Sequence, residues 1–238
     1  MDLPLLRGHQ GIVRRLLRVT GIDVNQQDSG GRTALMWASQ NNNEDVVRQL
    51  LVVDGVQKNI RDEQGRTALI LASKAGHARI VERLLRSGDI DINVRDGISG
   101  QTPLICATIG NRDGIVNQLL ELDGIEVNVQ DESATMTALA WASYRGNESI
   151  VLRLLQAKGI DVNARTRRGR SALMEASHQG HEGVVGMLLQ IKGIDVDIED
   201  EDGRTASELA TRAGYANIAS ILDNDPGEVD CESFWSWE

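Results

Sequence analysis

Gly31-Arg32-Thr33-Ala34-Leu35-Met36-Trp37-Ala38-Ser39 is the stretch that decides the fold, because the chain writes it again five times. It returns as Gly65-Arg66-Thr67-Ala68-Leu69-Ile70-Leu71-Ala72-Ser73 and as Gly100-Gln101-Thr102-Pro103-Leu104-Ile105-Cys106-Ala107-Thr108. Thr137 to Ser143, Gly169 to Ser177 and Gly203 to Thr211 are further copies. The hydroxyl residue of each copy stands at 33, 67, 102, 137, 171 and 205, a step of 34 or 35. A fixed step of that size marks stacked supersecondary units sharing one elongated core. A repeat array is expected, whatever 238 residues alone suggest about domain number.

Working outward from the motif, each unit predicts two helices. The opening Thr or Ser can cap a first helix by accepting a hydrogen bond from a free backbone N–H. Ala and Leu follow, small and strong helix formers, so a second helix can pack close. About eight residues past the motif's second alanine comes a branched pair: Val46-Val47, Ile80-Val81, Ile115-Val116, Ile150-Val151 or Val184-Val185. Leu-Leu comes four residues later, at 50–51, 84–85, 119–120, 154–155 and 188–189. Apolar pairs four apart make one stripe on a second helix. A glycine is expected to end that helix, and Gly-Ile-Asp-Val-Asn (21–25, 159–163) or a variant leads out as an extended finger.

The Thr-Ala-Leu-x-x-Ala core, the Gly-His at 76–77 and 180–181, the Leu-Leu and the Asp-Val-Asn together resemble ankyrin repeats. The resemblance covers about residues 5–222 and recurs in phase, with one residue more than the family's usual period of about 33. It implies an all-α solenoid of helix pairs over residues 1–222, with units at about 1–27, 28–61, 62–95, 96–130, 131–165, 166–199 and 200–222. The first unit supplies Gly8-His9, Ile12-Val13 and Leu16-Leu17 without the Thr-Ala-Leu before them. Thr135 stands where glycine is usual, and the fingers Asp96–Thr102 and Asp131–Thr137 are each one residue longer than usual, so both should be irregular. The last unit has Ser207 for Leu and a weakened Ile218/Ile221-Leu222 stripe, as a terminal cap requires.

Composition bounds the function. Apolar residues make up 41% and aromatics 3%, so Leu, Ile, Val and Ala must fill the core. The net charge of −10 argues against a broad nucleic-acid footprint. Six of the acids fall in residues 223–238 with no base among them, so setting them aside brings the net charge to −4. That acidic tail carries Phe234, Trp235 and Trp237 behind Pro226-Gly227, a composition of disordered type. Two cysteines make no disulfide framework, and no apolar run reaches the ~18 residues of a membrane span. A cytoplasmic or nuclear protein is expected, and Asn147-Glu148-Ser149 then matches a glycosylation sequon by chance.

On the first helices, the residue before the second alanine shares a face with those three and four later. Across units that face reads Trp37/Gln40/Asn41, Leu71/Lys74/Ala75, Cys106/Ile109/Gly110, Trp141/Tyr144/Arg145, Glu175/His178/Gln179 and Leu209/Arg212/Ala213. The resemblance makes it the wall of a concave groove where protein partners bind, together with the finger tips. Trp, Tyr and Arg dominate interface hot spots, which singles out Trp141, Tyr144, Arg145 and His178 as an anchor patch, with Trp37, Lys74, Ile109 and Glu175 along the same wall. The plain alternative is that each Trp only covers a neighbouring helix.

The tips carry Arg32, Arg61, Arg66, Arg95, Arg165, Arg167, Arg168, Arg170 and Arg204, read either as a cationic rim for an acidic peptide or as a solvated loop. The tail 226–238, its own or a neighbour's, could lie in that groove as a ligand mimic, or else cover the last unit. Non-catalytic protein binding is the expected function, without cofactor or metal. An enzyme or small-molecule site around Glu175, His178, Tyr144 and Trp141 is the alternative, since Glu175 and His178 could form an acid–base pair. Cys106 lies two units from His178, roughly 20 Å at a layer spacing near 10 Å, too far for a Cys–His pair.

Overall fold

The computed structural model describes residues 10–19 and 21–223. Phe234, Trp235 and Trp237 lie outside the described residues. The chain divides at an irregular finger into two compact units, Met1–Ser133 and Ala134–Glu238. Unit 1 holds α1 (Gln10–Leu16), α2 (Ala34–Gln40), α3 (Glu44–Leu51), α4 (Ala68–Ala75), α5 (Ala78–Arg86), α6 (Pro103–Ile109) and α7 (Asp113–Leu120). Unit 2 holds α8 (Ala138–Arg145), α9 (Glu148–Leu155), α10 (Ala172–Gln179), α11 (Glu182–Leu189), α12 (Ala206–Ala213) and α13 (Ala216–Asp223). The described residues contain helices and turns and no strand.

Helices of seven to nine residues are too short to persist alone in water, so their stability comes from stacking. First helices pack on first helices, α2 on α4 and α4 on α6 in unit 1, α8 on α10 and α10 on α12 in unit 2. Second helices form a second layer within each unit, α1, α3, α5 and α7 in unit 1 and α9, α11 and α13 in unit 2.

The expected caps are present. Thr33, Thr67, Thr102, Thr137, Ser171 and Thr205 each accept a hydrogen bond from the backbone N–H three residues on, at 3.1–3.4 Å. At the other end of α8 and α10, Gly146 and Gly180 take left-handed backbone. A Cβ on Gly180 would stand 2.4 Å from the Tyr215 ring, and one on Gly146 2.5 Å from the His181 ring. The Gly and the aromatic or imidazole one repeat later are therefore a matched pair. His181 Nε2 also reaches the Tyr144 carbonyl at 3.1 Å, and His77 reaches that of Gln40 at 3.0 Å. These histidines are structural, as their place in the motif implies.

Each branched pair and first Leu of the stripe is buried to 2% exposure or less, but the second Leu, at 51, 85, 120, 155 and 189, is only half-buried. The glycine expected to end the second helix does not do so. Val52 caps α3 and Gly55 (φ 78°) lies three residues beyond, in the turn that leads to the finger. A helix lacking a left-handed cap uses the turn's own N–H groups for its last carbonyls, as Val53 N–H does for Leu50.

The fingers are closed by side chains that the sequence reading passed over. Asp62 Oδ1 accepts from the backbone N–H of Gln64 and Arg66 at 3.0 and 2.9 Å, and Asp28 and Asp200 do the same in their own fingers. The two fingers expected to be irregular are: Asp96 N–H bonds five residues on, to Gln101, and Thr135 adopts φ 54° where other fingers use glycine.

Candidate functional site

In unit 1 the groove-side residues split by burial. Leu71 and Cys106 are 3% exposed, so the position before the second alanine is core there and not free surface. The next first helix covers it. Lys74 is exposed and Ile109 half-buried, and these remain available. Burial, with Asp96 nearby, pushes the Cys106 thiol up to about 12, partly offset by Lys74, so the thiol is inert at neutral pH.

Trp37 is half-buried and tied into a local cluster. Its Nε1–H donates to Asp28 Oδ2 at 2.7 Å, and the Arg32 guanidinium lies over its ring at 4.7 Å. Arg32 also donates to Gln40 and sits 3.7 Å from Asp62 of the following finger. Against a cost of burial, the Arg32 N–H and the indole hold the Asp28 carboxyl below the usual range.

In unit 2 the aromatic patch is present and open. Trp141 and Tyr144 meet edge-on with ring centroids 6.0 Å apart at 87°, and Arg145 lies over Trp141 at 6.0 Å. Tyr144 is 39% exposed and Arg145 is exposed, while Trp141 is half-buried. One layer on, α10 turns a different set of groups to the same side. Glu175, on the corresponding face, is buried at 6% exposure and lies 3.8 Å from Arg170, itself 7% exposed. Arg170 donates to Asp200 at 3.4 Å.

These placements correct the expected cationic rim. Arg170 is not a free tip, because Thr166 occupies the place of its own finger's Asp and the guanidinium turns inward to Asp200 and Glu175. Arg66 and Arg204 bind the carboxylates of Asp62 and Asp200 in their own fingers at 2.7 and 3.1 Å. Arg165 donates to the carbonyls of Gly169 and Glu199, stapling one finger to the next. Arg61 makes the same staple to Gly65 and Arg95, and Arg95 to Gln130. Arg167 and Arg168 keep exposed side chains. The repeated place of Gln27, Arg61, Arg95 and Arg165 in register was the signal that could have revealed the staple.

The charges around α10 perturb one another. Burial raises the Glu175 carboxyl, with Arg170 and Arg168 opposing. Burial lowers the His178 imidazole, helped by Arg170, Arg204 and Arg168, and its Nδ1 is buried without a hydrogen-bond partner. Burial works against the Asp200 carboxylate, but the Arg204 N–H and guanidinium, joined by Arg170, hold it below the usual range.

Two hollows, of about 550 and 380 Å³, border α3 and α5 in one case and α12 and α13 in the other. Among the described residues no set of three His, Cys, Asp or Glu side chains is placed to hold a metal ion, and no helix is long and apolar enough to cross a membrane.

The profile described as Ankyrin repeats (3 copies) matches residues 5–96, 51–131, 91–166 and 139–232. In structure the chain is similar to the ankyrin repeat domain of Bcl-3, a member of the IkappaB protein family. The TM-score is 0.80 at 28% identity, over 93% of this chain and 98% of that one. That structure is one of 597 solved chains that match, so fold alone identifies no partner. No curated protein sequence matches. The stacked helix pairs, the capped motif and the family profile agree: the chain belongs to the ankyrin repeat family, and it is a protein–protein interaction module.

Proposed function

We propose that the chain is a non-catalytic adaptor that holds an acidic segment of a protein partner against the groove side of its first helices. Trp141, Tyr144 and Arg145 are the anchor in unit 2, with Arg167 and Arg168 on the adjoining finger. Trp37, Lys74 and Ile109 serve the same purpose in unit 1. The observation that carries the reading is the Trp141–Tyr144 pair, edge-on at 6.0 Å beneath Arg145 and left out of the repeat core. Aromatic side chains with an overlying guanidinium give contact area, orientation and charge at small entropic cost. Arg170 and Glu175 act behind this surface by tying α10 to the finger above it, and the half-buried His178 is a further partner contact. The cysteine usage suits an intracellular setting.

Capture of cellular proteins by the intact chain and by the Trp141→Ala/Tyr144→Ala variant tests the proposal. The variant, with unchanged helical content, should lose the partner or bind it about tenfold or more weakly. Retention of every partner at equal strength would falsify the anchor. The enzyme reading rests on Glu175 and His178 as an acid–base pair, and burial, against the opposing Arg170 and Arg168, already accounts for the raised Glu175 carboxyl.

A further inference from the structure

The outer layer of unit 1 carries a surface found on no other outer helix of the described residues. α1, α3 and α5 lie side by side in that order. Their bases are all arginines: Arg14 and Arg15 on α1, Arg48 on α3 and Arg79 and Arg86 on α5 are exposed, and Arg83 on α5 is half-buried. The side chains of Arg79 and Arg86 are 85% and 80% exposed. α7, the next in the layer, has no basic residue, and neither does α11 in unit 2. Between α3 and α5 the arginines flank the hollow of about 550 Å³, which Leu51 and Val52 also line. Val52 is 79% exposed, the most exposed large apolar side chain described.

Carboxylates are present but do not close the site. Arg83 pairs with Glu44 at 2.6 Å, Arg86 with Glu82 at 2.9 Å and Arg48 with Asp45 at 2.8 Å. Exposed pairs of this kind are weak and exchange readily with an incoming anion. Arg79 sits 3.9 Å from a Glu44 that Arg83 already engages, so it has charge to give. The finger arginines Arg66, Arg165 and Arg170 differ. They donate to carbonyls or buried carboxylates of their own finger or the next and would have to break those bonds to bind a ligand.

The complementary chemistry lies at the far end of the same sequence. Residues 191–238 hold 13 acids against Lys192, Arg204 and Arg212, which is the whole of the net charge of −10. Within them, 225–238 contains five acids, no base, and Val229, Phe234, Trp235 and Trp237. Arginine meets carboxylate bidentately and also stacks its plane on an aromatic ring. An acidic segment with bulky rings can therefore use both the rim and the apolar lining of this hollow. Single-stranded nucleic acid would want aromatic stacking platforms, and this face has none.

We infer that the hollow between α3 and α5 is a docking site for the acidic–aromatic segment 225–238 of a second copy of this chain. Its arginines meet the carboxylates and Val52 and Leu51 meet a ring. This site is separate from the groove-side anchor, so either can fail without the other.

The test titrates a labelled 224–238 peptide into the full-length chain carrying Phe234→Ala, Trp235→Ala and Trp237→Ala, which removes the rings of competing copies. Saturable binding is expected, weakened about tenfold or more by Arg79→Glu with Arg86→Glu, and weakened by added salt. Trp141→Ala with Tyr144→Ala should leave it unchanged. The exposed arginines leave folding intact, which circular dichroism verifies. Three outcomes would overturn the inference: no binding up to about 0.5 mM peptide, sensitivity to the aromatic pair with none to the arginines, or binding of anionic vesicles in place of the peptide.

Discussion

Each unit contains one aspartate held by two arginines, and the two clusters are built from the same repeat positions. Asp62 binds Arg66 of its own finger and lies 3.7 Å from Arg32 of the finger before. Asp200 binds Arg204 of its own finger and Arg170 of the finger before. The visiting arginines have different fates. Arg32 keeps Asp28 in its own finger, leaves 23% of its side chain exposed and rests on Trp37 at the surface. Arg170 has Thr166 there instead, and its side chain is 8% exposed, with Glu175 as a second carboxylate. One substitution four residues upstream thus converts a surface contact into a buried ionic network. Such networks are costly to break from one side, because the remaining charge is stranded away from water.

The largest test of that contrast is Asp200→Ala, which leaves the buried Arg170 with only the more distant Glu175 and should cost about 3–5 kcal/mol in urea unfolding. Asp62→Ala should cost less, about 2–3 kcal/mol, because Arg66 and Arg32 can turn to solvent. Equal losses would mean that the burial of Arg170 has no energetic weight. Restoring a home carboxylate sharpens the point: Thr166→Asp added to Asp200→Ala should recover about 1–2 kcal/mol. Arg32→Met should change stability by less than about 1 kcal/mol, as exposed pairs do.

The smallest effect is on pH dependence. A lowered imidazole means the unfolded chain binds the proton more tightly, so His178 costs stability as pH falls through its ordinary value of about 6.5. The denaturation midpoint should therefore fall between about pH 7.5 and 6, and His178→Gln should flatten that decline. Glu175, raised, acts in the opposite sense nearer the carboxylate range and is separated by Glu175→Gln.

Most of the fold was legible because its determinants are local and repeated. The hydroxyl caps, the left-handed glycines after α8 and α10 and the branched pairs each read from a few adjacent residues. The face expected to bind partners was legible only in part. Trp141, Tyr144 and Arg145 lie together as their spacing implies, whereas Leu71, Cys106 and Glu175 are closed off by the neighbouring layer, which no single helix reveals. The finger arginines misled for a similar reason. Arg61, Arg165 and Arg170 find partners about 30 residues on, at Arg95, Glu199 and Asp200, so a run that reads as free charge is already spent on cohesion.

A quieter feature lies at the base of the loops. Asn25 donates to the Gly55 carbonyl and accepts from the Gln57 N–H, and Asn59 grips Asp89 and Asp91 alike. Asn93 and Asn163 do the same one layer on, at Gly124 with Glu126 and at Gly193 with Asp195. The amide touches only main chain, so it accepts any following copy regardless of side chains. Genes for such proteins can gain or lose whole copies by unequal crossing-over, and the junction will still find both of its bonds.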